Sequence, residues 1–229
     1  MTLPDDITLL GHHPFAAFQN GVGPQGQPSS HGNTDSTVVE FTTHGKVLAQ
    51  WDITGKCDGL TADPELCVLI ATVNEDANSS VYTIQPTGPA GAQVQHYSYN
   101  EPPPHFGGTD AISVYHGQVL ISGSAPGTTG TAAPQASYPA VYSVAFDPAT
   151  LVATVTPLFD DKDSAVSANV GSGFGQVAPL ALTDPTRMRS CRSTRRASLV
   201  TSWRPARATR SRSSTTPAVA SPCSAWLTR

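Results

Sequence analysis

This sequence predicts an all-β protein built from repeated four-stranded antiparallel sheets, and three observations carry that prediction. First, an aspartate followed by a short β-type run recurs at Asp5-Asp6-Ile7-Thr8, Asp58-Gly59-Leu60-Thr61 and Asp110-Ala111-Ile112-Ser113. The interval, about 53 and then about 52 residues, is the length of one propeller blade. Second, each copy is followed by an apolar run (15–18, 68–71 and 119–121), a polar Gly/Ser/Asn loop and two more strand-like runs. Third, 13% charged residues with 19 Gly and 20 Pro in 229 residues suit a turn-rich β protein with one sizeable core.

The elements follow in order. Blade one, about 4–57, places its third and fourth strands at 37–42 and 46–53, joined by Thr43-His44-Gly45. Blade two, about 58–109, places strands at 59–62, 67–73, 80–85 and 93–99, separated by short Pro/Gly/Asn turns. Blade three, about 110–160, ends in strands at 140–146 and 151–158, joined by Asp147-Pro148-Ala149-Thr150. Alternation in Ser80-Val81-Tyr82-Thr83-Ile84 predicts a sheet face packed on a neighbouring blade. Residues 161–185 read as a linker and the start of a fourth blade. Propellers have about 4–8 blades, so the chain is expected to be a piece of a larger ring, with a dimer of two copies as the alternative way to complete one.

A compositional break falls near residue 186. All 17 acidic residues lie at or before Asp184, opposed only by Lys46, Lys56 and Lys162, whereas all ten arginines lie at or after Arg187. The stretch 186–229 reads as a disordered Arg-rich tail, because its like charges and few apolar residues leave little to bury. A shifted reading frame in GC-rich coding DNA accounts for its Arg, Ser, Thr, Ala and Pro content. The competing readings are a native disordered tail and a nucleic-acid-binding arm, and the expectation is that nucleic acid is not a partner.

Other features exclude classes. The start Met1-Thr2-Leu3-Pro4-Asp5 has neither a basic nor an apolar leader region, and an N-terminal part with its signal is expected to be missing. No run approaches the ~20 apolar residues of a membrane span. Cys57 and Cys67 flank a hairpin in which they do not face each other, so no bridge is expected between them. Cys191 and Cys223 lie in the tail.

The run 58–64, Asp-Gly-Leu-Thr-Ala-Asp-Pro, followed by 68–72 and the Asn74-Glu75-Asp76 loop, resembles the repeat of NHL and gluconolactonase-like six-bladed propellers over residues 4–160. The resemblance implies that the aspartate entering each first strand points into the central channel and ligates a divalent cation. Carried over by motif, the metal candidates are Asp58, then Asp110, then Asp6 or Asp5, and oxygen ligands suit Ca²⁺ or Mg²⁺. The alternative role for each is to accept hydrogen bonds from turn amides.

The loops between second and third strands share that rim and are long in blades one and three, where propellers place recognition. Asn20, Asn74 and His105 are the ligand-binding candidates there, and Glu75 is the candidate acid/base beside a metal. His31 lies in the first long loop, whereas His12, His13, His44 and His116 fall at turns on the opposite side. The expected function is binding of a small molecule, sugar or polymer at the channel rim. A metal-dependent lactone or ester hydrolase and an inactive gene-fragment product are the alternatives, and self-association through unclosed blade edges is expected.

Overall fold

A computed structural model describes residues 1–103, 108–124, 137–168 and 173–180. The expectations for His105 and for the Arg-rich tail with Cys191 and Cys223 fall outside these residues. The described residues contain strands and no helix. Blade one is β1 (Pro4–Leu10), β2 (His13–Phe18), β3 (Asp35–Phe41) and β4 (Val47–Thr54). Blade two is β5 (Cys57–Asp63), β6 (Val68–Val73), β7 (Ser80–Ile84) and β8 (Val94–Tyr99), and blade three is β9 (Thr109–Tyr115), β10 (Gln118–Gly123), β11 (Pro139–Asp147) and β12 (Val152–Asp160). Within each blade consecutive strands pair antiparallel. The chain is thus a partial β-propeller of three four-stranded blades, followed by a short hairpin of β13 (Ser164–Val166) and β14 (Val177–Pro179).

Apolar alternation explains the stacking. Leu10, Phe15, Ala17, Val38 and Ile53 of blade one bury against Leu60, Leu69, Ala71, Val73 and Ile84 of blade two. The other face of blade two, through Ile70, Val81 and Tyr97, buries against Ile112, Ile121, Tyr142 and Val144 of blade three. The run 68–73 is therefore covered on both faces, which is why it reads as continuously apolar. The outer strands seal the second junction, because β8 and β12 pair in parallel at Ser98 with Val152 and at Tyr99 with Ala153. Across the first, the Trp51 indole donates to Gln93 at 3.1 Å.

One hydrogen bond marks the repeat more sharply than any residue identity. The amide just past each second strand donates to the carbonyl just before the first strand: Gln19 to Leu3 (3.0 Å), Asn74 to Lys56 (2.8 Å) and Ser124 to Gly108 (3.1 Å). Leu180 to Asp163 (2.7 Å) repeats it at the β13–β14 hairpin. This register makes Asp5, Asp58 and Asp110 equivalent, at the intervals the sequence shows, and leaves Asp6 one residue further along the strand. Each inner strand bulges just here, between Pro4 and Ile7 in blade one and between Cys57 and Gly59 in blade two.

Candidate functional site

The rim between blades one and two is assembled from three connections. Lys56 lies on the crossover from β4 to β5, where Gly55 takes a φ of 112° that favours glycine. Ser36 fastens this crossover, donating its hydroxyl to the Gly55 carbonyl (2.7 Å) and accepting the Cys57 amide (2.9 Å). Gln19 comes from the end of β2, and Glu75 from the loop after β6. The entry to an inner strand and the loop after the second strand thus meet at one place.

Asp58 is the centre of that place. Its Oδ1 accepts from the Lys56 ammonium at 2.8 Å and from Gln19 Nε2 at 3.1 Å, and its Oδ2 accepts from the Glu75 amide at 3.2 Å. Lys56 also pairs with the Glu75 carboxylate. The Asp58 side chain is 4% exposed, while those of Lys56 and Glu75 are 17% and 31% exposed. A buried carboxylate therefore sits beneath a half-open ion pair.

Burial pushes Asp58 up to about 7, with Glu75 and Asp5 adding to the rise and Lys56 opposing it. Partial burial, then Asp6, raises Asp5 to about 6. For Lys56, burial disfavours the charge, but its hydrogen bonds to Asp58 and Glu75 outweigh this and hold the ammonium above its ordinary range. The free Cys57 thiol, fully buried behind the cluster, is pushed up by burial and then by Asp58. That keeps it a thiol and not a nucleophile. It opposes Val73 across the hairpin, in line with the expectation that it does not bridge Cys67.

The raised Asp58 pKa has a definite consequence for stability. An unfolded aspartate loses its proton near 3.8, whereas folded Asp58 holds it to about 7. Between those values the folded state binds the extra proton, so stability falls as pH rises through this window and levels off above it. Thermal melts should give a higher Tm at pH 5 than at pH 8. The difference should shrink in Asp58→Asn, and an equal difference in that variant would assign the effect to other groups.

The remaining sequence candidates divide. Asp6 does not meet Asp58. Its Oδ2 accepts the amide of Leu60, within β5, at 2.9 Å, tying β1 to β5; this is a strand amide of the neighbouring blade and not a turn amide of its own. Asp110 is buried, and its carbonyl accepts the Thr72 hydroxyl at 2.5 Å. Asn20 and Asn74 adopt φ of 55° and 67°, a conformation asparagine tolerates, and their amides are engaged within their own blades. Asn20 Oδ1 accepts from Thr2 and its Nδ2 donates to Thr37; Asn74 Oδ1 accepts from Lys56 and its Nδ2 donates to Asn78. His31 lies exposed in the first long loop, and His12, His44 and His116 are at exposed turns away from the cluster. Among the described residues, no group of three or more His, Cys, Asp and Glu side chains is arranged to hold a metal ion. Sequence reasoning missed Lys56 and Gln19; the available signal was a rare lysine two residues before the repeated aspartate.

No protein-family model and no curated protein matches the sequence. Among solved structures the fold is similar to a mutant of the Synechocystis apocarotenoid oxygenase, at 10% identity and a TM-score of 0.39, covering 71% of this chain and 39% of that one. A chimera of that oxygenase gives 10% identity and a TM-score of 0.38, covering 67% of this chain and 36% of that one. The chain spans less than two fifths of the length of either.

Proposed function

We propose that the rim between blades one and two binds a small polar molecule, a sugar or a sugar polymer, with Lys56, Asp58, Glu75 and Gln19 as its contacts. The carrying observation is the half-open Lys56–Glu75 pair above buried Asp58. It offers an ammonium, carboxylate oxygens and an amide within a few ångströms of one another, the donor and acceptor mix that hydroxyl-rich ligands require. The long loop after β2 flanks this place, since Gln25 accepts from Asn78 at 3.4 Å and Pro24 accepts the Asp76 amide at 3.1 Å. Ligand contacts on loops held by rigid blades fit the usual division of labour in such folds.

A second reading, lactone or ester hydrolysis, is favoured by one feature. A carboxyl that titrates near neutral pH can both take and give a proton at the working pH, and Asp58 supplies one. A divalent cation could join the same carboxylates only by displacing the Lys56 ammonium, so titration with Ca²⁺ or Mg²⁺ should show weak binding at best, about millimolar.

Saturation-transfer NMR with a panel of monosaccharides, oligosaccharides and polyols tests the proposal. At least one member should bind, and Glu75→Gln should weaken it roughly tenfold, the loss expected for one charge-assisted hydrogen bond. No binding across the panel, or binding indifferent to Glu75→Gln and Gln19→Ala alike, would remove it. Turnover of a lactone or ester panel, abolished in Asp58→Asn, would select the second reading.

A further inference from the structure

Asp5, Asp58 and Asp110 each stand two residues past the carbonyl of the closing hydrogen bond, and what occupies that carbonyl position differs. It holds Leu3, Lys56 and Gly108 in turn, so of the three aspartates the middle one alone has a lysine beside it. Asp5 nevertheless belongs to the same rim. Gln19 spans the two, its backbone amide donating to Leu3 at 3.0 Å and its side chain to Asp58 at 3.1 Å. One residue on from Asp5, the Asp6 carboxylate accepts the Leu60 amide at 2.9 Å, which ties the entries of β1 and β5 side by side.

The carboxyl groups gathered here outnumber the cations. Asp58 and Glu75 share Lys56, and Asp6 is engaged by Leu60. Asp5 is open to solvent, and among the described residues its carboxyl accepts no hydrogen bond and joins no ion pair. Partial burial, then Asp6, with Glu75 adding and Lys56 opposing, raises it to about 6. It is therefore ionised at neutral pH, in a place that already disfavours its charge, and a bound cation would relieve that. Even with Asp58 protonated, three further carboxyl groups meet one ammonium.

We propose that the ligand of this rim carries a free amine, as an amino sugar or its polymer does, and that Asp5 is the residue that takes up its ammonium. This rests on the rim reading above and names the class of sugar. An ammonium brings three donors of its own and needs one open carboxylate, which Asp5 supplies without displacing any bond already made. A divalent cation needs several oxygens at once, and those of Asp58 and Glu75 are held by Lys56. The hydroxyls of the same ring are left for Lys56, Glu75 and Gln19.

Glucosamine and N-acetylglucosamine share a ring and differ in this charge, so NMR titration of the full chain with each at pH 7 tests it, with circular dichroism to verify that variants fold. Glucosamine should bind about tenfold more tightly, the worth of one charge-assisted hydrogen bond, and Asp5→Asn should bring the two within about twofold while Asp5→Glu keeps the preference. At pH 5 the preference should be lost although the amine is then more fully protonated, because Asp5 takes up a proton; Asp6, Lys56, Asp58 and Glu75 are the other charged groups bearing on it. Equal binding of the two sugars, or a preference that survives in Asp5→Asn, would overturn the amine and leave the rim site standing. No binding by any sugar would remove the rim site and this proposal together. Calcium binding lost in Asp5→Asn, with no preference between the sugars, would give the carboxyl to a metal instead.

Discussion

Gly59→Ala will lower the stability of this chain by about 3 kcal/mol, near the upper end of what forced overpacking costs. A Cβ built at Gly59 would lie 2.3 Å from the Asp110 carbonyl oxygen and 2.5 Å from Thr72 Oγ1. The first is backbone of the neighbouring inner strand, and the second is already fixed by its bond to that same carbonyl. Neither can retreat without parting blades two and three. For a chain of this size the expected fall in Tm is about 6–12 °C. A fall of less than about 2 °C would mean that β5 and β9 are not packed this closely. The expectation also gives the Asp58-Gly59 pair a meaning apart from metal binding, since its glycine is required by the approach of two strands.

Lys56→Met will be at least as damaging near neutral pH, by about 3–5 kcal/mol, the usual result of stripping one partner from a buried ion pair. The variant leaves the Asp58 carboxyl, 4% exposed, facing Glu75 with no cation. Its escape is to take up a proton. The deficit should therefore be largest at pH 8 and much reduced at pH 5, as measured by chemical denaturation at both. Adding Asp58→Asn to Lys56→Met should recover most of the loss, because it removes the stranded charge, and the double-mutant cycle reports the coupling directly. Equal losses at pH 5 and pH 8 would show that Lys56 contributes through packing of its stem and not through its charge.

The fold was legible because its signals are local. The sequence places strands of blade two at 59–62, 67–73, 80–85 and 93–99, and β5 to β8 lie within two residues of those bounds. Turn residues such as Pro64 and Pro148 punctuate antiparallel strands wherever they fall, so boundaries can be read without knowing what packs on what. The site was less legible because its bonds are not local. Gln19 reaches Asp58 across blades, and Lys56 reaches Glu75 only because the crossover and the loop after β6 share a rim. The repeat interval puts Asp5 in line with Asp58, and hydrogen bonding agrees, since Gln19 to Leu3 repeats Asn74 to Lys56. The neighbouring Asp6, which the sequence alone does not separate from Asp5, instead accepts the Leu60 amide of the next inner strand.

Asp58 is a buried carboxyl held beneath an ion pair at the rim, and its titration followed through the side-chain ¹³Cγ resonance tests this most directly. The expected midpoint is about 7, with the Glu75 amide resonance shifting in step because that amide donates to Asp58 Oδ2. A midpoint near 4, with the Glu75 amide indifferent to it, would place Asp58 in open solvent and contradict the site.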